Sequence, residues 1–516
     1  MNNSLSIFRF ALFASLSLPT FAETNAWIAA DAGNASVAEN WSLGRIPAAT
    51  DDILVDGDLS IAALTWDVDG ANGLPDTVAS WTQTATYTNV VVLPTMRSGA
   101  FTKFTVSGDA VLSGGRWWRE REPNLNGGST KCQPTSWLWL VFGGDVDAGS
   151  SFTFDGKNAG YFKSRGLGGN SSNGGASHGG QGGSDLNAYA TGSGYGICYG
   201  SYREPASHGT GGFNVNSACG GGTIVLEVAG TLALDGAIDA TSNNDGIDGG
   251  AGGSVWIRAN RLVGSGAICA DGGGSNSSNN KGGAGGGRVA IHLLAPDATY
   301  ATYTNDFTGT VTARGGTGLN AKKNQNFGAA GTVYVETPAD HGKGRMFLVN
   351  RNRTLTNGST LNGNNTYTVK GTAVVKNGVT CDLASLAMSA DGRIGIEKGG
   401  TLRVPSFAAI TGDGSTYCAL RFDDGGTLVS DIPDERLAPA GYNLVAYGTN
   451  VFDRVIVLNA PATFDVAGEF TLPALKADGV FLPVGDHLAS ECGDRVTGTG
   501  ILHITGMDGT TVLIIR

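Results

Sequence analysis

The sequence predicts an all-β protein: a right-handed parallel β-helix or solenoid with glycine-rich corners, followed by a C-terminal β-solenoid or β-sandwich region. Three observations lead there. Glycine accounts for 82 of 516 residues, about twice the usual share, while charged residues make up only 15%. Short alternating apolar segments recur along the middle of the chain, and helix-length apolar patterns are absent. The glycines follow no G-X-Y period, which excludes collagen. Runs of Val, Ile, Leu and Thr between them argue against disorder.

Taken in order, residues 1–22 read as a secretory signal peptide. Arg9 supplies the positive charge, residues 10–18 the short apolar run, and Thr20-Phe21-Ala22 the small residues before a cleavage point at Glu23. Its removal would take the formal net charge from −11 to −12, because Arg9 is the segment's one charged side chain. An acidic body of that kind argues against nucleic acid or an anionic membrane as partner. Residues 23–105 read as an N-terminal β entry or cap region. Residues 106–340 read as the glycine-rich parallel β-helix, interrupted by inserted loops at 116–135 and 165–222. Residues 341–516 form the C-terminal β region. No transmembrane segment is expected after signal removal.

The repeats carry the fold assignment. Strand-like segments start at Thr223, Ser254, Arg288 and Thr332, spaced 31, 34 and 44 residues apart, and each follows a glycine cluster. Periods of that size signal stacked architectures whose units cannot bury themselves alone. In the first unit Ile224, Leu226 and Val228 share one face and Val225 and Glu227 the other, the alternation of a half-buried strand. The clusters are expected to turn corners at positive φ, which glycine enters without steric cost. No cluster is followed by G-K-[ST], so a phosphate-binding loop is not expected.

Asn40-Trp41-Ser42, with residues 44–47 and 51–53, resembles the entry motif of autotransporter-like, surface-exposed bacterial β-helix proteins. Residues 81–83, 107–115, 154–161, 177–183, 199–205, 251–257 and 285–291 are similar, in order, to short motifs of secreted glycine-rich bacterial β-helix proteins. The resemblance implies a β-helical fold and a secreted or cell-surface location, and it implies no particular chemistry. It departs from autotransporters in showing no run of long amphipathic strands for a membrane barrel.

Chemistry, if present, is expected in the two insertions. Loop 165–222 carries His178, Tyr202, Arg203 and His208. A polysaccharide lyase needs a base, an acid and a group that neutralises a uronate carboxylate, roles open to His or Tyr and to Arg respectively. The bland alternative is a lid packed over glycine-rich coils. Insertion 116–135 opens with Arg116, Trp117, Trp118 and Arg119, residue types that make stacking platforms for sugars, or else cap a coil edge. Trp137 and Trp139 belong to an apolar segment read as core. Cys198 and Cys219 flank one glycine-rich loop and are the disulfide candidate, which export would permit. Neither a metal site nor a cofactor is expected; calcium is considered only near Asp245 and Asp248, without an EF-hand or nonapeptide pattern. Two readings follow. One is a secreted or cell-surface structural or adhesive protein contacting extracellular polysaccharide or the cell-surface matrix. The other is a carbohydrate-active enzyme, with a lyase favoured over a glycoside hydrolase, which would need a close acidic pair.

Overall fold

The computed structural model describes residues 22–68, 72–93, 103–119, 137–162, 165–168, 175–183, 196–212, 219–242, 249–274, 282–317, 327–350, 373–376, 378–390, 392–415 and 418–506. Among these the chain is all-β, with large parallel sheets and a repeat-like architecture; Tyr300–Asp306 is a short α-helix. No helix among the described residues is long and apolar enough to cross a membrane.

The stack begins with Thr24–Ala26, Asp52–Val55, Ser80–Gln83 and Ala110–Arg119, each parallel to the next. Alternation sends one side chain in two inward, and here those side chains are large aromatics. Trp27, Trp41, Trp66, Trp81 and Trp117 form a continuous buried spine, with successive ring centroids 5.3, 6.1, 5.6 and 5.1 Å apart. Edge-to-face contacts of this kind add to the area each ring removes from water. The pairing runs on through Phe104–Val106, which is parallel to Leu138–Phe142, so residue 105 lies inside a strand.

Phe142, Phe152 and Phe154 continue the aromatic interior against Trp117, and from Thr223 onward the strands bury mainly aliphatic side chains. Leu138–Phe142, Thr223–Leu234, Ser254–Val263, Arg288–Leu293 and Thr332–Glu336 pair in parallel and in register. Ala237–Asp239, Ala267–Cys269 and Thr310–Thr312 form a second parallel ladder. Ile224, Leu226 and Val228 are buried, as are their partners Val255, Ile257 and Ala259. Each buried aliphatic side chain contributes about 1.5–3 kcal/mol.

The glycine clusters make a third wall, by a different device from the one expected. None of the glycines within residues 220–222, 249–253, 282–287 and 328–331 has a positive φ. What they share is contact. A Cβ added at Gly221, Gly252 or Gly286 would overlap the carbonyl oxygen of Ala240, Ala270 or Ala313 in turn. The hydrogen bonds repeat with the same step: Gly221 N–H donates to Ala251, Gly252 to Gly285 and Gly286 to Ala329, at 2.9, 3.1 and 2.9 Å. Backbone lies directly on backbone, a spacing that no side chain allows.

The chain reverses at residues 337–344. Thr337 and Asp340 form a reciprocal capping box, and His341 and Gly342 take left-handed φ of 49° and 83°. Arg345–Val349 therefore returns antiparallel to Thr332–Glu336 before Ser385–Ser389 pairs parallel to it. Beyond the turn, Ala373–Val375, Arg393–Ile396, Ala419–Asp423, Asn443–Tyr447, Phe464–Val466 and Val496–Thr497 form a parallel six-stranded sheet. Ile394, Leu420, Leu444 and Phe464 occupy one register and are buried.

Candidate functional site

Loop 165–222 contributes a strap through part of its described residues. Its described residues 196–212 lie across the outer face of the main ladder, tied to it by side chains from successive strands. The Trp137 indole donates to the Ala206 carbonyl at 2.7 Å and Ser254 Oγ to that of Ser207 at 2.6 Å. Arg288 Nε donates to Tyr199 O at 2.8 Å, and His292 Nε2 to Arg203 O at 2.6 Å. Each of these residues comes from an alternating strand, so the strap is fixed by the register of the coils beneath it.

The four residues considered for catalysis fall into two groups. His178 and His208 are completely buried. His178 Nδ1 donates to the Gly252 carbonyl at 2.7 Å, and its ring lies 4.6 Å from that of Tyr199. Burial, with the nearby charge of Arg288, takes its pKa down to about 3, which keeps the imidazole neutral. His208 Nε2 accepts from Arg119 Nη1 at 3.2 Å, so its Nδ1 donates to Thr223 Oγ1 at 2.8 Å. Both imidazoles act as struts, His208 through both ring nitrogens and His178 through Nδ1. Tyr202 and Arg203 stand apart, over the last strand of the ladder. The Tyr202 ring meets Tyr334 at 5.3 Å, and Arg203 Nη2 donates to both carboxylate oxygens of Glu336 at 3.1 and 2.8 Å. A lyase would need His178 or His208, Arg203 and a tyrosine such as Tyr202 over one groove; here both histidines are interior and Arg203 is committed to a carboxylate.

The proposed stacking platform is corrected as well. Residues 116–119 belong to the strand Ala110–Arg119, and alternation splits them. Trp117 points inward, completing the aromatic spine, with its indole donating to Gln83 Oε1 at 3.0 Å. Arg119 is buried too, donating to His208 and to the Ala159 carbonyl. Arg116 and Trp118 face outward, and Arg116 pairs with Asp155 at 2.8 Å. The Cys198–Cys219 disulfide is not formed. Both are buried thiols, with Cys198 lining a cavity beside Arg288 and Cys219 set in the glycine wall, where its carbonyl accepts from Ser242. Asp245 and Asp248, considered for calcium, and the rest of insertion 116–135 beyond Arg119 up to Thr135 lie outside the described residues.

Sequence reasoning missed an outward row on the main ladder. Trp137 and Trp139, read as core, are half-buried on its outer face, whereas Leu138, Leu140 and Phe142 between and beyond them are the core positions. Trp137 and Trp139 meet at 6.3 Å, Trp139 and Trp256 at 6.4 Å, and Trp256 and His292 at 6.5 Å. Charges flank the row. Lys103 Nζ lies 4.6 Å over the Trp139 ring and 2.7 Å from Glu227, which also receives the Trp139 indole N–H at 2.7 Å and faces Arg258 at 3.5 Å. Burial would raise the Glu227 carboxyl, yet the Lys103 and Trp139 hydrogen bonds hold it below its ordinary value. The available signal was the strict alternation of residues 137–142, which puts both tryptophans on the face opposite the leucines.

Compared with family models, curated proteins and solved structures, the chain matches none of them.

Proposed function

We propose that this protein is a secreted or cell-surface, non-catalytic β-helix scaffold that contacts an extracellular polysaccharide or the cell-surface matrix through the row Trp137, Trp139, Trp256 and His292. The observation that carries the reading is that row: half-buried aromatic rings on the outer face of stacked strands, interleaved with Lys103, Glu227 and Arg258. Sugar rings lay their C–H faces on indoles while hydroxyls take hydrogen bonds from neighbouring charges. The acidic net charge favours neutral or cationic polymers over anionic ones.

The signal-like residues 1–22 support export. Parallel ladders repeating every 31–44 residues support a β-helix, and parallel crossovers are right-handed in about 98% of cases. The parallel sheet from Ala373 to Thr497 supports a second solenoid run over a sandwich, whose sheets are antiparallel. The lyase alternative draws little support from its own residues, since both imidazoles are buried and Arg203 is held by Glu336.

The test is retention of the purified protein on neutral, cationic and anionic polysaccharides, with ultraviolet absorbance followed for an unsaturated lyase product. Trp139→Ala with Trp256→Ala is expected to weaken retention at least about tenfold, equivalent to about 1.4 kcal/mol, with the far-ultraviolet circular dichroism unchanged. Unaltered retention in that double variant, or accumulation of unsaturated product, overturns the reading.

A further inference from the structure

A cavity of about 360 Å³ lies where the strap and the ladder meet the first strands beyond the turn. Met346, Val375 and Ile394 are among its apolar lining residues, and Arg288, Tyr199 and Lys376 among its polar ones. Its volume falls within the range of small-ligand sites.

Arg288 is the unusual member. Thr223, Ser254, Arg288 and Thr332 share one register across successive strands, so a guanidinium stands where the other coils carry a hydroxyl. It is only 6% exposed. Nε is taken by the Tyr199 carbonyl and one Nη1 hydrogen by Thr332 Oγ1, at 2.8 and 3.1 Å. Among the described residues no carboxylate pairs with Arg288, and its Nη2 has no partner. A buried charge without a counter-ion is costly, and burial pushes this guanidinium below its ordinary pKa. Lys376 brings a second positive charge to the same cavity and makes no ion pair among the described residues. A cavity lined by hydrocarbon and by two cationic side chains suits an anion with an apolar body.

We infer that this cavity binds a small organic carboxylate, whose anionic group accepts from the Arg288 guanidinium and whose hydrocarbon body lies against Met346, Val375 and Ile394. Planar Arg–carboxylate pairing supplies the counter-charge that the protein leaves out. Apolar walls favour such an acid over a fully hydrated inorganic anion. The cavity shares no lining residue with the aromatic row.

Titration calorimetry on the full chain tests the assignment, with hexanoate and benzoate as probes against hexanol, benzyl alcohol and inorganic phosphate. Both acids are expected to bind at least about tenfold more tightly than the alcohols or phosphate. Arg288→Gln should remove that preference while leaving the alcohols' affinity unchanged. Because Arg288 also ties down Tyr199 and Thr332, Val379→Trp provides a second variant: Val379 lines the cavity and is 43% exposed, so an indole there should block acids and alcohols alike without disturbing the ladder. Trp139→Ala with Trp256→Ala should leave hexanoate binding intact. The assignment fails if neither acid binds saturably, if acids and alcohols bind equally, if folded Arg288→Gln retains wild-type affinity for hexanoate, or if Val379→Trp does.

Discussion

In the glycine-rich stack, a methyl group added at Gly221, Gly252 or Gly286 would run into the backbone of a neighbouring segment. In the stack beyond residue 344, Gly378, Gly414 and Gly479 have open space around them and φ of 74°, 79° and 87°. One residue type thus answers two different demands. Before the turn, glycine lets main chains touch, and one whole wall of the stack is built from peptide groups. After the turn the glycines are scattered: some supply left-handed turns, others such as Gly412, Gly426 and Gly500 lie singly against backbone, and the interior is filled by side chains such as Leu420, Leu444 and Phe464. The first kind of wall tolerates no substitution, because the obstructing atoms are backbone. Positions such as Gly378, Gly414 and Gly479 tolerate any residue willing to take positive φ.

The largest effect is expected where the glycine wall's stack meets its aromatic base. Trp117→Ala should cost about 3–5 kcal/mol in urea unfolding while leaving polysaccharide retention of the folded protein unchanged, since Trp117 is wholly interior. Gly252→Ala comes next, at about 3 kcal/mol, the upper end of the overpacking range. Hydrogen exchange should show that loss in residues 219–331 and not beyond the turn. A loss confined to the C-terminal stack, or none, breaks the distinction drawn between the two walls.

Acid should separate the two stacks next. His178 has a folded pKa of about 3 against 6.5 when exposed. Between those values the unfolded chain takes up a proton that the folded chain refuses. Stability of the glycine-rich stack should therefore fall as pH drops below about 6.5, by on the order of 1 kcal/mol per pH unit, and level off near pH 3. Beyond the turn, burial would raise the Asp413 carboxyl, but hydrogen bonds from Ala390, Ser415 and Cys418 hold it down to about 2. Its contribution is full above its ordinary value of 3.8 and is lost only as pH falls from there towards 2. Urea midpoints followed by regional hydrogen exchange at about pH 7 and about pH 4.5 should then show loosening in the glycine-rich stack alone; equal loosening in both would remove His178 as the cause. The smallest effect is expected at Gly378→Ala, about 1 kcal/mol for a forced left-handed residue. Gly378→Asn should cost less still in the same unfolding assay, because Asn adopts that conformation more readily.

Much of the fold was legible because strand alternation is a local property. Residues 224–228 and 138–142 declare their faces without reference to anything distant, and the spacing of Thr223, Ser254 and Arg288 gives the stacking step. The candidate sites were less legible. Trp117-Trp118 beside two arginines has the composition of an exposed platform, yet strand Ala110–Arg119 extends through it and buries alternate residues. Trp137 and Trp139 sit in an apolar run whose composition suggested core, while its alternation turned them outward.

By itself, the sequence determined an all-β repeat punctuated by glycine clusters, since period, alternation and composition are read along one chain. Only the tertiary structure decided what the glycines are for and which side chains meet. Whether a glycine serves a turn or a close approach depends on what lies 2–3 Å beyond the missing Cβ, and that neighbour comes from another coil. The same holds for Arg288, which in sequence is one more basic residue opening a strand. Its lack of an ion pair among the described residues, and the cavity it faces, arise only where the strap, the ladder and the reversed chain come together.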